Sequence, residues 1–212
     1  MINLKKISLI AISLLGLMMP PSQKDLHSKE EFCSRKNNLQ AKQIDKKHYL
    51  IFDKSDQRLY LIENQKIKKS YPAAYGAEEG VKEKEGDCKT PEGKYQICYI
   101  NPESYWHFFM GINYPNIEDA KNGLKKKLIN KQEYNQIIKA YKNGERPPWN
   151  TKLGGEIGIH GIPTDSLELE KITQNAPYSK QNWTVGCMGL TNNSIDELKE
   201  YIGLGTCIII RK

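Results

Sequence analysis

The sequence between residues 49 and 62 reads Tyr49-Leu-Ile-Phe52, then Asp53-Lys-Ser-Asp-Gln57, then Arg58-Leu-Tyr-Leu-Ile62. Two short runs of aromatic, aliphatic and β-branched residues flank a polar segment, and this is the pattern of a β-hairpin. We therefore predict that the two runs pair as the first strands of the fold.

Further short strands are predicted along the rest of the chain. Ile67 to Ala74 has a looser alternation and predicts a third strand, and Lys94 to Ile100 predicts a fourth after the turn Thr90-Pro-Glu-Gly93. Gly155 to His160 and Cys207 to Arg211 predict two more. Short strands at this spacing predict a mainly β fold of sandwich or barrel type.

Two parts of the chain have a helical pattern instead. Apolar residues recur among lysines at helical spacing through Ile117 to Ile129 and Lys131 to Tyr141, which predicts a helical insertion of one or two helices over about residues 117–143. A further helix is predicted after the turn at Asn192-Asn193. There Ser194 and Glu197 have the spacing of a capping box.

Composition and charge exclude several classes of protein. The chain has 212 residues, 38% hydrophobic and 27% charged, which is typical of one globular domain with appendages. The formal net charge is +7, but lysine supplies 28 of the 32 basic residues, so nucleic-acid binding is not favoured. Lys125 to Lys127 are expected to form a solvated face, with contact to an anionic ligand as the alternative. No apolar run reaches about 18 residues, which excludes a multi-pass membrane protein.

The N-terminal residues have the pattern of an export signal. A basic pair precedes the apolar run Ile7 to Met19, and Pro20-Pro21 ends it. We predict a signal peptide or N-terminal anchor over residues 1–22 and a polar linker over residues 23–47. A buried N-terminal helix is the alternative. Export places the protein in the periplasm or cell envelope, with membrane contact only through an uncleaved leader.

The cysteine count is odd, which in an oxidising compartment indicates one thiol left unpaired. The remaining four allow three pairings, and Cys88 with Cys98 is one candidate pair. No Cys-x-x-Cys or Cys/His zinc spacing occurs, so the sequence predicts no metal site and no cofactor. The five cysteines are Cys33, Cys88, Cys98, Cys187 and Cys207.

Two short motifs carry the candidate chemistry. Ile159-His160-Gly161 places a histidine at the end of an apolar strand, and Thr184-Val-Gly-Cys187-Met-Gly-Leu-Thr-Asn192 places a cysteine directly after glycine. A thiol reacts as thiolate, so it needs a nearby imidazole or exposed N–H groups to lower its pKa. We expect His160 and the Gly186-Cys187 turn to supply these. The alternative is a buried structural cysteine and a core histidine.

These motifs resemble the L,D-transpeptidases of the YkuD catalytic-domain family over roughly residues 48–211, within a domain spanning 48–212. The resemblance is carried by Tyr49 to Ile62, Lys89-Thr-Pro-Glu-Gly93, Ile159-His-Gly161 and Thr184-x-Gly-Cys187, in that order. A small residue two places after the cysteine, with Asn113-Tyr-Pro-Asn116 and Asp119, is similar to the YafK-type branch.

The resemblance implies a role for each matching residue. Cys187 would attack the carbonyl of the third residue of a peptidoglycan stem peptide, and His160 would accept the thiol proton. The carbonyl of Gly161 would orient the imidazole, and the N–H groups of Gly186 and Cys187 would bind the oxyanion. Thr184 stands where the family usually has Ser, and we expect Thr184, Val185 and Gly186 to contact substrate.

The sequence also departs from the family. Many members have His at the position of Val185 and Arg at that of Gly189, and an arginine there would bind a stem carboxylate. The YafK-type branch includes a hydrolase that releases lipoprotein from peptidoglycan. Transfer to an amine and hydrolysis are therefore both open. Pro163 to Trp183 is expected to form a lid, with Trp183 and Tyr178 as candidate walls.

The leading hypothesis is thus a cysteine L,D-transpeptidase that acts through a thioester, with peptidoglycan stem peptides and an envelope lipoprotein as expected partners. The alternatives are an L,D-carboxypeptidase or amidase-type hydrolase, and a non-catalytic peptidoglycan-binding protein. A disulfide-exchange protein is disfavoured because no Cys-x-x-Cys occurs. Tyr105-Trp-His-Phe-Phe109 is a stretch that could line the cleft.

Overall fold

A computed structural model describes residues 48–163 and 182–212 of the chain. Within these ranges the chain forms eight strands and three helices, numbered along the sequence. The strands are β1 (His48–Asp53), β2 (Arg58–Glu63), β3 (Lys66–Pro72), β4 (Gly93–Asn101), β5 (Phe109–Ile112), β6 (Gly158–His160), β7 (Met188–Gly189) and β8 (Cys207–Arg211). The helices are α1 (Ile117–Lys125), α2 (Lys131–Asn143) and α3 (Asn192–Leu198).

The strands join in one sheet in the order β3-β2-β1-β8-β4-β5-β6-β7. β1 and β2 form the predicted antiparallel hairpin, with Tyr49 opposite Ile62. The C-terminal strand β8 lies between β1 and β4, parallel to the first and antiparallel to the second. The fold class predicted from the sequence, mainly β with helices, is confirmed.

The sheet bends at β4 and closes through the segment after β3. The first half of β4, Gly93 to Gln96, pairs with β8, and the second half pairs with β5, with a bulge between Ile97 and Tyr99. Ala74 then exchanges two backbone hydrogen bonds with Gly189 of β7, each 2.9 Å long. The two edges of the sheet therefore meet, which gives the barrel-like shape and brings β7 next to the chain that follows β3.

The main core lies inside this curved sheet and is covered by α3. Ile208 and Ile210 of β8 face it and are 0% and 2% exposed. Ile195 and Leu198 of α3 pack against the same cluster. Burial of aliphatic side chains on this scale is the main stabilising contribution in such a domain.

The insertion between β5 and β6 consists of two helices. Each begins with a capping box, formed by Asn116 with Asp119 in α1 and by Asn130 with Glu133 in α2. The two helices share a small core that includes Ile137. The side chains of Lys125 to Lys127 are exposed, as expected for a solvated face.

Some elements differ from the sequence prediction. β5 and β7 were not predicted, because both are short and contain glycine instead of an alternating apolar pattern. Helix α3 begins earlier than predicted, because the hydroxyl of Thr191 accepts the N–H of Ser194 and takes the N-cap position expected for Ser194. The predicted leader and linker lie outside the described residues. No helix in the described ranges is long and apolar enough to cross a bilayer.

We expect Ile210→Ala to lower the free energy of unfolding by about 2–5 kcal/mol, because it leaves a cavity in the core. Ile67→Ala is the matched control, since Ile67 lies on the edge strand β3 and is 36% exposed. Urea unfolding followed by circular dichroism measures both. Equal losses of stability would contradict the assigned core.

Candidate active site

The sheet places His160 opposite the strand that directly follows Cys187. His160 ends β6 and lies directly opposite Gly189 of the parallel strand β7, while Ile159 lies opposite Met188. Ile159 and Met188 both face the main core. Because strand side chains alternate, His160 and Gly189 lie on the other face, and Cys187 directly precedes β7.

The imidazole of His160 is fixed by a hydrogen bond to the neighbouring residue. Its Nδ1 lies 2.7 Å from the carbonyl oxygen of Gly161. A carbonyl only accepts, so Nδ1 carries the proton and the neutral ring keeps its lone pair on Nε2. The side chain is buried, and burial lowers the pKa of His160, while the bond to Gly161 acts in the opposite direction. At neutral pH the ring is therefore a neutral base.

Three aromatic rings surround the imidazole. The ring centroid of His160 lies 4.8 Å from that of Trp106, 5.7 Å from that of Trp183 and 6.5 Å from that of Phe109. Trp106 and Trp183 also contact each other, at 5.9 Å. These rings remove water from the imidazole and restrict its rotation, which explains the burial that lowers its pKa.

Two residues of the aromatic stretch Tyr105 to Phe109, Trp106 and Phe109, thus lie against the His160 ring, and so does Trp183. The ring of His107 points elsewhere: its Nε2 lies 3.0 Å from a carboxylate oxygen of Asp196. Tyr178 and the remainder of the predicted lid, residues 164–181, lie outside the described residues.

The thiol of Cys187 is buried and protonated. It donates to the carbonyl oxygen of Glu156, with Sγ and the oxygen 3.3 Å apart. Burial raises the pKa of Cys187 to about 11, while a hydrogen bond from the Gly158 backbone and the charge of Lys82 lower it, and the charge of Glu156 raises it. The expectation that neighbouring groups lower this pKa below its ordinary value is wrong, because the cost of desolvating a thiolate is larger.

The glycine before the cysteine has a backbone that few other residues adopt. Gly186 has φ +136°, and a Cβ there would lie 2.7 Å from the carbonyl oxygen of Lys89. Its N–H donates to the hydroxyl of Thr184 at 3.2 Å, and that hydroxyl donates to the carbonyl of Cys187 at 2.7 Å. The buried side chain of Thr184 therefore stabilises the turn through two hydrogen bonds. The side chain of Val185, by contrast, is 72% exposed.

This arrangement changes the expected oxyanion site. The N–H of Gly186, expected to bind the oxyanion, is already bonded to Thr184. Thr184, expected to contact substrate, is buried. The N–H of Cys187 has no acceptor among the described residues and is free to bind an incoming oxyanion.

The structure gives a physical reason for glycine at position 189. A Cβ there would lie 2.7 Å from a carbon of the Trp183 indole. The indole thus lies over the position where the resemblance implies an arginine, and a long side chain at 189 would have to displace it.

Three further residues at the site were not identified from the sequence. Asn192 accepts the N–H of Ile162 at 2.7 Å, and its oxygen would collide with a Cβ at Gly161. Glu156 has φ +55°, and its carbonyl oxygen accepts the hydrogen bond from the thiol. Thr90 is fully buried. Its hydroxyl donates to the carbonyl oxygen of Gly186 in the turn formed by residues 184–187, which we call the cysteine turn. Asn192 and Thr90 belong to quoted motifs, whereas Glu156 has no sequence signal.

The other cysteines take no part in this arrangement. No disulfide joins Cys88, Cys98, Cys187 and Cys207 to one another. Cys207 is buried in β8. Within residues 48–163 and 182–212, no three His, Cys, Asp or Glu side chains are placed to share a metal ion.

Comparison with known proteins identifies a family. Residues 47–210 match the sequence model of the YkuD family, the L,D-transpeptidase catalytic domain. No curated protein sequence matches the chain at a significant level.

Several solved structures are similar to the chain. The helical cell shape determining protein Pgp2 from Campylobacter jejuni is 22% identical, with a TM-score of 0.47, and the match covers 88% of this chain and 56% of that one. Bd1075 from Bdellovibrio bacteriovorus is 24% identical, with a TM-score of 0.46 and coverages of 78% and 48%. An L,D-transpeptidase from Xylanimonas cellulosilytica is 12% identical, with a TM-score of 0.45 and coverages of 77% and 60%. The chain thus spans about half to three fifths of the length of these solved chains.

We expect the alkylation of Cys187 by iodoacetamide to rise about tenfold per pH unit from pH 7 to 9.5, because its pKa is about 11. Mass spectrometry of the Cys187 peptide measures the rate, and the peptide that carries Cys88 is the internal reference. A rate that levels off below pH 8 would contradict the protonated resting thiol.

We expect Trp106→Ala to raise the pKa of His160 towards the ordinary value of about 6.5, because it lets water reach the ring. Titration of the His160 ring protons by NMR measures this change. Tyr105→Ala is the control, since Tyr105 is 64% exposed and its ring packs on Trp106. An unchanged pKa in Trp106→Ala would show that the aromatic rings do not set it.

Proposed function

Because the chain belongs to the YkuD family of L,D-transpeptidase catalytic domains, we propose that it is a cysteine acyltransferase that acts on peptidoglycan stem peptides. The family acts on these peptides, and the finer assignment to this chain rests on its own site. The observation that carries the proposal is the buried His160, which has its proton on Nδ1, leaves Nε2 as a base, and lies opposite the strand that directly follows Cys187.

The first half of the proposed reaction forms a thioester. The sulfur of Cys187 bonds to the carbonyl carbon of the third stem residue while the thiol proton passes to Nε2 of His160. The carbonyl electrons move to the oxygen, which the N–H of Cys187 stabilises. The C–N bond then breaks, and the departing D-amino acid takes the proton from the imidazolium.

The second half transfers the acyl group and restores the enzyme. His160 removes a proton from an acceptor amine or from water, the acceptor attacks the thioester, and the thiolate leaves and regains the proton. An amine gives a cross-link or an attached protein, and water gives a trimmed stem. An L,D-carboxypeptidase or lipoprotein-releasing hydrolase would use the same residues.

The protonation state of the free enzyme favours a mechanism in which the thiol proton moves to His160 as the sulfur attacks. It does not favour a thiolate–imidazolium pair formed before substrate binds. Both partners are neutral, since burial raises the pKa of Cys187 and lowers that of His160. Burial disfavours the charged forms of both groups in the free enzyme. We propose that the developing oxyanion and imidazolium offset that cost only when substrate is present. Gly161 holds the imidazole for this step.

We also propose the domain organisation and location that the sequence predicts. Residues 1–22 would direct export, residues 23–47 would form a linker, and residues 48–212 would act on the cell wall. A family that acts on peptidoglycan favours the periplasm or envelope. The net positive charge favours contact with an anionic polymer of that compartment. Assignment to the YafK-type branch, and a lipoprotein partner, stay predictions.

We expect the purified protein to convert tetrapeptide muropeptides, and Cys187→Ala to reduce the rate by at least about 1,000-fold because it removes the nucleophile. Mass spectrometry of the products separates cross-linking, trimming and amine attachment. Cys98→Ala is the matched control, since it removes a thiol of β4 that lies outside the site, and it is expected to keep the wild-type rate. Identical product profiles from the wild type and Cys187→Ala would exclude the catalytic assignment.

A further inference from the structure

Thr90 lies on the loop before β4 and contacts the backbone of the cysteine turn. It is 0% exposed and belongs to the turn Lys89-Thr-Pro-Glu-Gly93. The proposed mechanism assigns it no role. Its hydroxyl connects two chain segments that are far apart in the sequence.

The hydroxyl group of Thr90 donates its one proton to the cysteine turn. It donates to the carbonyl oxygen of Gly186 at 2.9 Å and accepts the N–H of Gly76 at 2.9 Å. A threonine hydroxyl has one proton to donate, so the direction of both bonds is determined. All three groups are buried, and losing either bond would leave a buried polar group unsatisfied.

The bond to Gly186 determines the orientation of a neighbouring N–H group. The carbonyl of Gly186 and the N–H of Cys187 belong to the same planar peptide unit and point in opposite directions. Fixing the carbonyl towards Thr90 therefore directs the N–H of Cys187 away from Thr90. No hydrogen-bond acceptor for this N–H is found in the described part of the chain.

The turn needs such a bond because glycine restrains its own backbone weakly. Gly186 lacks a Cβ and has φ +136°, so the peptide that follows it can rotate at little steric cost. Thr184 binds the N–H of Gly186 and the carbonyl of Cys187, which are on either side of this peptide unit. Thr90 holds the unit itself.

We propose that Thr90 is a positioning residue that holds the Gly186–Cys187 peptide so that the N–H of Cys187 stabilises the oxyanion during acylation. The proposal rests on the proposed function, because an oxyanion forms only if Cys187 attacks a carbonyl. Thr90 does not touch the substrate and acts through Gly186.

Comparing the rates of acylation and alkylation of Cys187 distinguishes a role of Thr90 in positioning the N–H group from a general structural role. Attack on a carbonyl generates an oxyanion, whereas displacement of iodide from iodoacetamide does not. A misoriented Cys187 N–H therefore slows the first reaction and leaves the second nearly unchanged. General damage to the site changes the burial of the sulfur and alters both.

The test compares Thr90→Val, which keeps the shape and removes the hydroxyl, with Thr90→Ser, which keeps the hydroxyl. In single-turnover reactions with tetrapeptide muropeptides, we expect Thr90→Val to slow acylation by about 100-fold, the effect of losing one oxyanion donor. We expect alkylation by iodoacetamide to change less than about 3-fold, because it forms no oxyanion. Thr90→Ser is expected to stay within about 5-fold of the wild type in both reactions, since it keeps the donor.

Each outcome decides the proposal. Wild-type acylation by Thr90→Val, or an equal loss of acylation and alkylation, would overturn the positioning role. Failure of the folded wild type to acylate would instead refute the proposed function. Should Thr90→Val not fold, Thr90→Ala removes the same hydroxyl with a smaller side chain, and the same difference between the two reactions is expected of it.

Discussion

The hydrogen bond between Nδ1 of His160 and the carbonyl of Gly161, 2.7 Å long, is the interaction on which the site depends. It uses the one proton of the neutral imidazole and leaves Nε2 as a base. Glycine at 161 leaves room for the side-chain oxygen of Asn192, because a Cβ there would lie 2.4 Å from it. That oxygen in turn holds the next peptide by accepting the N–H of Ile162. The tautomer of the His160 ring is therefore determined by hydrogen bonds that involve the neighbouring backbone.

The curved sheet supplies the second half of the arrangement. Pairing of β6 with β7 places His160 opposite Gly189, two residues after Cys187, and the bridge between Ala74 and Gly189 joins β7 to the chain after β3. That chain continues to the loop of Thr90, which contacts the cysteine turn. Closing the sheet thus makes the nucleophile turn a buried, hydrogen-bonded part of the domain. A buried turn of this kind can present an N–H group in a fixed direction, at the cost of a high thiol pKa.

The sequence predicted the features that depend on local pattern. The first hairpin, the helical insertion and the strand Cys207–Arg211 have clear periodicity and form as expected. Strand β7 was missed because two residues have no periodicity and exist only by pairing with β6. The pKa of Cys187 was predicted in the wrong direction, since the burial that raises it arises from tertiary packing. The contacts of Thr90 and Trp183 are likewise long-range and have no local signature.

The central claim is that His160 is a neutral base with its proton on Nδ1. It is tested most directly by ¹⁵N NMR of the two ring nitrogens in the folded protein at pH 7. We predict one protonated nitrogen, Nδ1, and one unprotonated nitrogen, Nε2, with both signals unchanged as the pH is raised further. A proton on Nε2, or a doubly protonated ring at pH 7, would contradict it.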